Sequence, residues 1–198
     1  MQLIIASTNS HKIREFKTLL KGFKSLDLRT LKDFPNYTPP SEKGTTFEEN
    51  AKIKAVSAAS ALGSLVISDD SGLVVPALGG EPGIKSSCYA GEYASESENR
   101  EKLIQKLRHL PEEKRSAYFE CCLVLAGPDG IKKVAKGFCE GTLTVEPRGS
   151  YGFSYDSLFI KHDYRKTFAE IEDETRIKIS YRIKAFDKIR LSLESLFL

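Results

Sequence analysis

Apolar residues follow two rhythms along this chain. Short unbroken runs of leucine and β-branched residues suit buried strands, and apolar positions three or four apart suit amphipathic helices. Leu3-Ile4-Ile5-Ala6 is a run of the first kind. A helix is predicted after it, with Ile13, Phe16, Leu19 or Leu20, and Phe23 on one face. Leu26-Asp27-Leu28-Arg29 alternates like a strand, before a loop over 33–44 that holds Pro35, Pro39, Pro40 and Gly44. Thr46-Phe47-Glu48-Glu49 has the capping-box pattern and opens a helix to about Leu62. Helical spacing puts Phe47, Ala51, Lys54, Ala58 and Ala61 on one stripe, so Lys54 lies within a small apolar face. Such a lysine either snorkels to water or serves a buried anion.

Two more apolar runs, Leu65-Val66-Ile67 and Leu73-Val74-Val75, bracket Ser68-Asp69-Asp70-Ser71-Gly72. The pattern predicts two short strands with a turn at Gly72. On a regular strand Asp69 and Asp70 would face opposite sides, whereas on a turn both reach one cleft. A solvated turn has the same composition. Further on, Pro76 to Gly83 is a loop extended by Ser86 to Gly91, and Ser95 to Leu110 is a helix with Leu103, Ile104, Leu107 and Leu110 inward. Ser116 to Ala126 is the longest strand; Gly127-Pro128-Asp129-Gly130 turns it into a second, to about Glu140, as an antiparallel hairpin. Leu143 to Val145 suits another short strand. A glycine- and aromatic-rich loop, Arg148 to Asp156, precedes Leu158-Phe159-Ile160. Thr167 to Ile171 starts a short helix, and a last helix buries Ile183, Phe186, Ile189, Leu193, Leu196 and Phe197, with Ser180 as its N-cap.

Composition narrows the class. The 198 residues, 40% of them hydrophobic, can bury a sizeable core in one domain. A net charge of +3 gives no stripe for nucleic acid and no membrane-surface character. There is no signal-like opening and no apolar run near 18 residues in length, so the expectation is a soluble, cytoplasmic protein. The cysteines, at 88, 121, 122 and 139, form no Cys-x-x-Cys pair and read as reduced, mostly buried thiols.

The candidate chemistry is that of a polyanion site. Ser7-Thr8-Asn9-Ser10-His11-Lys12 joins the first strand to a helix start, where free N–H groups suit an anion. Ser10 as a plain N-cap is the alternative. Lys12, Lys54 and Arg176 add positive charge, and Arg176, Lys178 and Arg182 cluster before the last helix. Carboxylates beside a polyphosphate call for a divalent cation between them, so Asp69, Asp70 and Glu42 imply Mg²⁺ or Mn²⁺ held by oxygen. A carboxylate not used by the metal can activate water. Phe153 and Asp156 can hold a base.

With these residues in view, the chain resembles the Ham1/RdgB family of noncanonical purine nucleoside triphosphate pyrophosphatases. The family's Ser/Thr-x-Asn-x-x-Lys-x-x-Glu is matched by residues 7–15, its Gly-x-Thr-Phe-x-Glu-Asn-Ala by Gly44 to Ala51, and its Asp-Asp-Ser-Gly-Leu by Asp69 to Leu73. Its Leu-Gly-Gly-x-Pro-Gly stands at Leu78 to Gly83, and its Gly-Phe-Gly-Tyr-Asp-Pro at Gly152 to Ser157. The resemblance implies an elongated α/β fold: a long twisted mixed sheet with helices in two lobes of one domain over 1–198, and an active cleft between them. It implies a homodimer and Mg²⁺-dependent hydrolysis of ITP, dITP or XTP to monophosphate plus pyrophosphate, cleansing the nucleotide pool. By the same resemblance Ser7, Thr8, Asn9, Lys12 and Lys54 bind phosphates, with Ser71 supporting that loop. Glu42 and Asp69 place the metal, Asp70 activates water, and Phe153, Tyr155, Asp156, Arg176, Tyr181 and Arg182 meet the base.

The match departs from the family in the base-reading half. Cys88 stands where the family has arginine, Arg176 where it has lysine, and Tyr181 where it has the histidine of Ser-His-Arg. A Maf-like nucleotide pyrophosphatase is one alternative, with the Asp69–Leu73 and Asp156 loops against it. A nucleotide-binding module without turnover is another.

Overall fold

The computed structural model describes residues 2–196, so Phe197 lies outside the described residues. The architecture is mixed α/β. Its strands are β1 (Gln2–Ala6), β2 (Asp27–Thr30), β3 (Leu65–Val74), β4 (Ser116–Gly127), β5 (Gly130–Leu143), β6 (Phe159–Lys161) and β7 (Lys166–Thr167). They form one seven-stranded sheet in the order β2-β1-β3-β4-β5-β6-β7. β1 runs parallel to both β2 and β3, while β6 is antiparallel to β5 and β7. The helices are α1 (Ser10–Leu19), α2 (Phe47–Leu62), α3 (Glu96–Arg108), α4 (Asp173–Ile179) and α5 (Tyr181–Glu194). Among the described residues no helix is long and apolar enough to cross a membrane.

The chain divides into two compact units. The first comprises Met1–Asp70, Cys121–Gly137 and Arg182–Leu198; the second comprises Ser71–Glu120 and Phe138–Tyr181. In the first unit the β1 run Leu3-Ile4-Ile5 is fully buried, as are Val66 and Ile67 of β3. α2 presents Phe47, Ala51, Ala55, Ala58 and Ala59 inward. Methyl-sized side chains let its backbone come close to the sheet, and this buried face replaces the predicted stripe at its end, where Ala61 is exposed. α5 buries Phe186, Ile189 and Leu193, and Leu196 lies exposed beyond its last turn. In the second unit α3 buries Leu103, Ile104 and Leu107, and Phe119, Phe159 and Phe168 form an aromatic core.

Several local expectations change. Residues 65–74 form one continuous strand, with no turn at Gly72. The glycine serves close approach instead: a Cβ there would meet Ser86 Oγ at 2.3 Å. That hydroxyl accepts the Leu73 N–H at 3.0 Å and donates to the Gly83 carbonyl at 2.6 Å. Asn9, not Ser10, caps α1, accepting the N–H groups of His11 and Lys12. Thr46 caps α2, accepting the Glu49 N–H at 3.1 Å, and the Glu49 carboxylate reaches back to accept from the Thr45 N–H at 2.6 Å and its hydroxyl at 2.9 Å. β5 continues to Leu143, and the separate strand expected over Leu143 to Val145 does not form, since Thr144 and Val145 lie beyond the end of β5. Arg176 and Lys178 lie in the last turn of a short helix, α4, just ahead of α5, and Arg182 lies in the first turn of α5.

Candidate active site

β3 delivers Asp69 and Asp70 at the edge of the first unit, and strand alternation sends their side chains to different neighbours. Asp69 is 1% exposed. Its Oδ2 accepts from Arg182 Nε of α5 at 2.9 Å and from the Cys121 thiol of β4 at 3.0 Å. Its Oδ1 pairs with Lys12 Nζ from the first turn of α1. Arg182, fully buried, also pairs with Glu15 of α1. Asp70, 8% exposed, accepts from Lys54 Nζ of α2 at 2.8 Å and from Asn50 Nδ2 at 3.3 Å. The same ammonium meets Glu42 Oε2 at 3.1 Å. Asn50 ties this corner together, because its Oδ1 accepts the Gly44 N–H at 2.8 Å and so holds the loop that carries Glu42.

Two adjacent carboxylates are thereby given opposite electrostatics. Burial works to raise the pKa of Asp69, but the charges of Arg182 and Lys12 outweigh it and hold that carboxyl far below the usual range. For Asp70 burial wins, and its pKa is raised against the pull of Lys54. Burial also disfavours the Lys54 ammonium, yet Asp70 and Glu42 more than compensate and its pKa rises. One ammonium shared by two carboxylates stays charged while compensating each only in part. The Cys121 thiol is pushed well up by burial and by Asp69, so it serves as a donor.

The second unit holds a cavity of about 370 Å³ lined by Glu96 and Arg100 of α3 together with Gly152, Phe153, Ser154 and Asp156 of the glycine-rich loop. That volume lies in the range of small-ligand pockets. Asp156 is buried; its Oδ2 accepts the Phe153 N–H at 3.0 Å and lies 3.5 Å from Arg176 Nη1. Arg176 Nη2 also meets Asp173 at 3.1 Å.

The structure brings Lys12, Glu42, Lys54, Asp69 and Asp70 together in the first unit. It brings Phe153, Asp156 and Arg176 together in the second. Ser7 and Asn9 shape the α1 entry, Ser7 Oγ accepting the Asn9 N–H at 3.2 Å, while Thr8 is exposed beside them. Three more residues expected at the base have protein partners of their own. Arg182 is committed to Asp69 and Glu15 inside the first unit. Tyr155 is fully buried and donates its hydroxyl to the Ser86 carbonyl at 2.9 Å, with its pKa raised by burial. Tyr181 is 5% exposed, its ring stacked on Phe119 at 4.8 Å. Sequence reasoning missed Glu15, Asn50 and Cys121. The first two lie inside matched motifs, and a glutamate between Ile13 and Phe16 on an apolar face was a signal for a buried partner; Cys121 gave none.

This is a cluster of lysines and carboxylates on an α/β sheet. The chain belongs to the Ham1 family, whose profile matches residues 3–191. It is 50% identical over 197 residues to the dITP/XTP pyrophosphatase of Protochlamydia amoebophila, with 99% of each chain covered. Among solved structures, the Ham1 protein of Staphylococcus aureus superposes with a TM-score of 0.87 at 40% identity, covering 98% of this chain and 99% of that one. A HAM1 protein from Coxiella burnetii gives a TM-score of 0.89 at 34% identity, with 98% and 99% covered. The Maf-like alternative falls with this membership.

Proposed function

We propose that the chain is an enzyme that hydrolyses the noncanonical purine nucleoside triphosphates ITP, dITP and XTP to the monophosphate and pyrophosphate. The observation that carries this reading is the division of labour at Asp69-Asp70. A carboxylate held ionised by two cations stands next to one whose affinity for a proton is raised, with lysines on both. A general base must take a proton during the reaction, so Asp70 is the base that accepts it from water. Lys12 and Lys54 then meet the triphosphate, helped by Ser7, Thr8 and Asn9 at the α1 entry, while Ser71 follows Asp70 on the same strand. The name of the Protochlamydia relative supports the substrate class.

The donor set suits a magnesium or manganese ion. Glu42, Asp69 and Asp70 offer only hard carboxylate oxygens, the chemistry of Mg²⁺ and not of zinc. Among the described residues no three His, Cys, Asp or Glu groups converge as a ready cage. That fits a cation arriving with the triphosphate, since Mg²⁺ commonly binds through one or two carboxylates plus substrate phosphates. Glu42 and Asp69 would hold it. When bound, the cation supplies neutralisation of the phosphate charge.

Phe153, Asp156 and Arg176 are the groups we assign to the base, with the buried Tyr155, anchored to the Ser86 carbonyl, as support. A substrate panel tests the proposal. ITP, dITP and XTP should exceed ATP in kcat/KM by at least ~10²-fold, since hydrogen-bonded base sites discriminate at least that well. Equal turnover of ATP contradicts it, and tight binding of ITP without turnover selects the non-hydrolysing alternative. The resemblance further points to a cytoplasmic homodimer, and light scattering at assay concentration reads the oligomer.

A further inference from the structure

In the glycine-rich loop of the second unit, Ser154 stands at φ 55, in the left-handed region that side chains with a Cβ rarely adopt. Gly152, at φ 76, has a reason to be there: a Cβ would meet Asp156 Oδ2 at 2.2 Å. Ser154 has no such local reason, and its conformation is held from α3. Its N–H donates to Glu96 Oε2 at 2.9 Å, and its carbonyl accepts from Arg100 Nη1 at 3.0 Å. Glu96 and Arg100 lie one turn apart and face each other at 3.9 Å. Both peptide groups of one strained residue are thus gripped by a facing pair of charged side chains.

We propose that Glu96 and Arg100 are positioning residues for the base-binding loop: they lock Ser154 in its left-handed conformation and so fix Phe153 and Asp156 at the cavity wall. This rests on the assignment of Phe153 and Asp156 to the base. The physical argument is preorganisation. Released from α3, Ser154 gains by returning to the right-handed or extended region, and the rotation of its peptide carries Phe153 with it. Each substrate molecule would then have to reorder the loop, which weakens binding without touching the reacting groups. Both bonds involve an ionised partner, and such bonds are stronger than neutral ones.

The test uses Glu96→Ala, Arg100→Ala and Glu96→Gln in the full-length chain, with ITP as substrate. Either alanine variant should raise KM about tenfold, the scale of one charge-assisted hydrogen bond, and leave kcat within about twofold. Glu96→Gln keeps an acceptor for the Ser154 N–H and should recover most of the loss. The protein has no tryptophan, so Phe153→Trp introduces a single reporter, whose fluorescence anisotropy should fall when Glu96→Ala is added. Unchanged KM and unchanged anisotropy in both alanine variants overturn the proposal, as does Glu96→Gln behaving like Glu96→Ala. A fall in kcat with unchanged KM also overturns it. Failure of the base assignment is seen separately: Phe153→Ala would leave KM unchanged while the anisotropy still reports the grip.

Discussion

Replacing Lys54 with methionine keeps the bulk of the α2 side chain and removes the ammonium from between Asp70 and Glu42. At 2.8 Å from Asp70 Oδ1, a unit charge pair interacts by about 6 kcal/mol at an effective dielectric near 20. Competition from Glu42 for the same ammonium, and water at the 8% exposed Asp70, reduce that figure. An opposite charge at this range moves a carboxyl pKa by about 1–3 units, or about 1.4–4 kcal/mol. The sign follows from the roles. Asp70 acts as a base only when ionised, so kcat/KM falls as pH drops through its pKa. Burial already raises that pKa and Lys54 pulls it down. Losing Lys54 therefore raises it further, and the acid limb of the profile should move to higher pH by about 1–3 units. The assay is kcat/KM for ITP against pH at fixed Mg²⁺, in wild type and Lys54→Met. Should the variant be too slow, carbon-13 NMR of the Asp70 carboxyl in metal-free protein reads the same shift. An acid limb and a carboxyl titration that stay in place, or move to lower pH, would refute the reasoning.

Three further outcomes are expected. Asp70→Asn should lose at least ~10²-fold in kcat, with KM for ITP little changed, the scale of removing a general base; near-normal turnover assigns the base elsewhere. Asp69 has its pKa depressed by Arg182 and Lys12, so its stabilising contribution is complete above the unfolded value near pH 4 and is lost as pH falls toward its folded value. Asp69→Asn should flatten the acid side of a urea-midpoint curve below about pH 4, and an unchanged slope contradicts the pairing. Tyr181→Ala should destabilise by about 3 kcal/mol, as loss of a packed ring does, and change the ITP/ATP ratio of kcat/KM by less than about threefold. A large change in that ratio with little loss of stability would return Tyr181 to the base.

Much of the frame was legible because periodicity reports burial. The β1 run, the α2 start at Thr46, the α3 stripe and the long β4 needed only local rules. The turn at Gly72 was misjudged because a glycine signals either a bend or a close approach, and only Ser86, fourteen residues on, decides between them. Lys54 illustrates the same limit within one helix: spacing placed it among alanines, but Asp70 and Glu42 became its partners through the packing of α2 near β3. Arg182 and Tyr181 show a further limit of local rules. Motif order offers a role at the base for both but says nothing of their protein partners, and these come from packing: a buried arginine goes to buried carboxylates, here Asp69 and Glu15, and a ring among phenylalanines goes to Phe119. Cys121 was invisible, since a cysteine in an apolar strand looks like any other small hydrophobe until a carboxylate is found 3.0 Å away.

The central claim is the bond that breaks. Purified protein incubated with ITP and Mg²⁺, with inosine monophosphate and pyrophosphate quantified together and orthophosphate measured without added pyrophosphatase, tests it most directly. The account predicts pyrophosphate and monophosphate rising in equal amounts from the first time point, no orthophosphate, and both products abolished by Asp70→Asn. Release of orthophosphate with accumulation of inosine diphosphate, or equal pyrophosphate release by the Asp70→Asn protein, would contradict it.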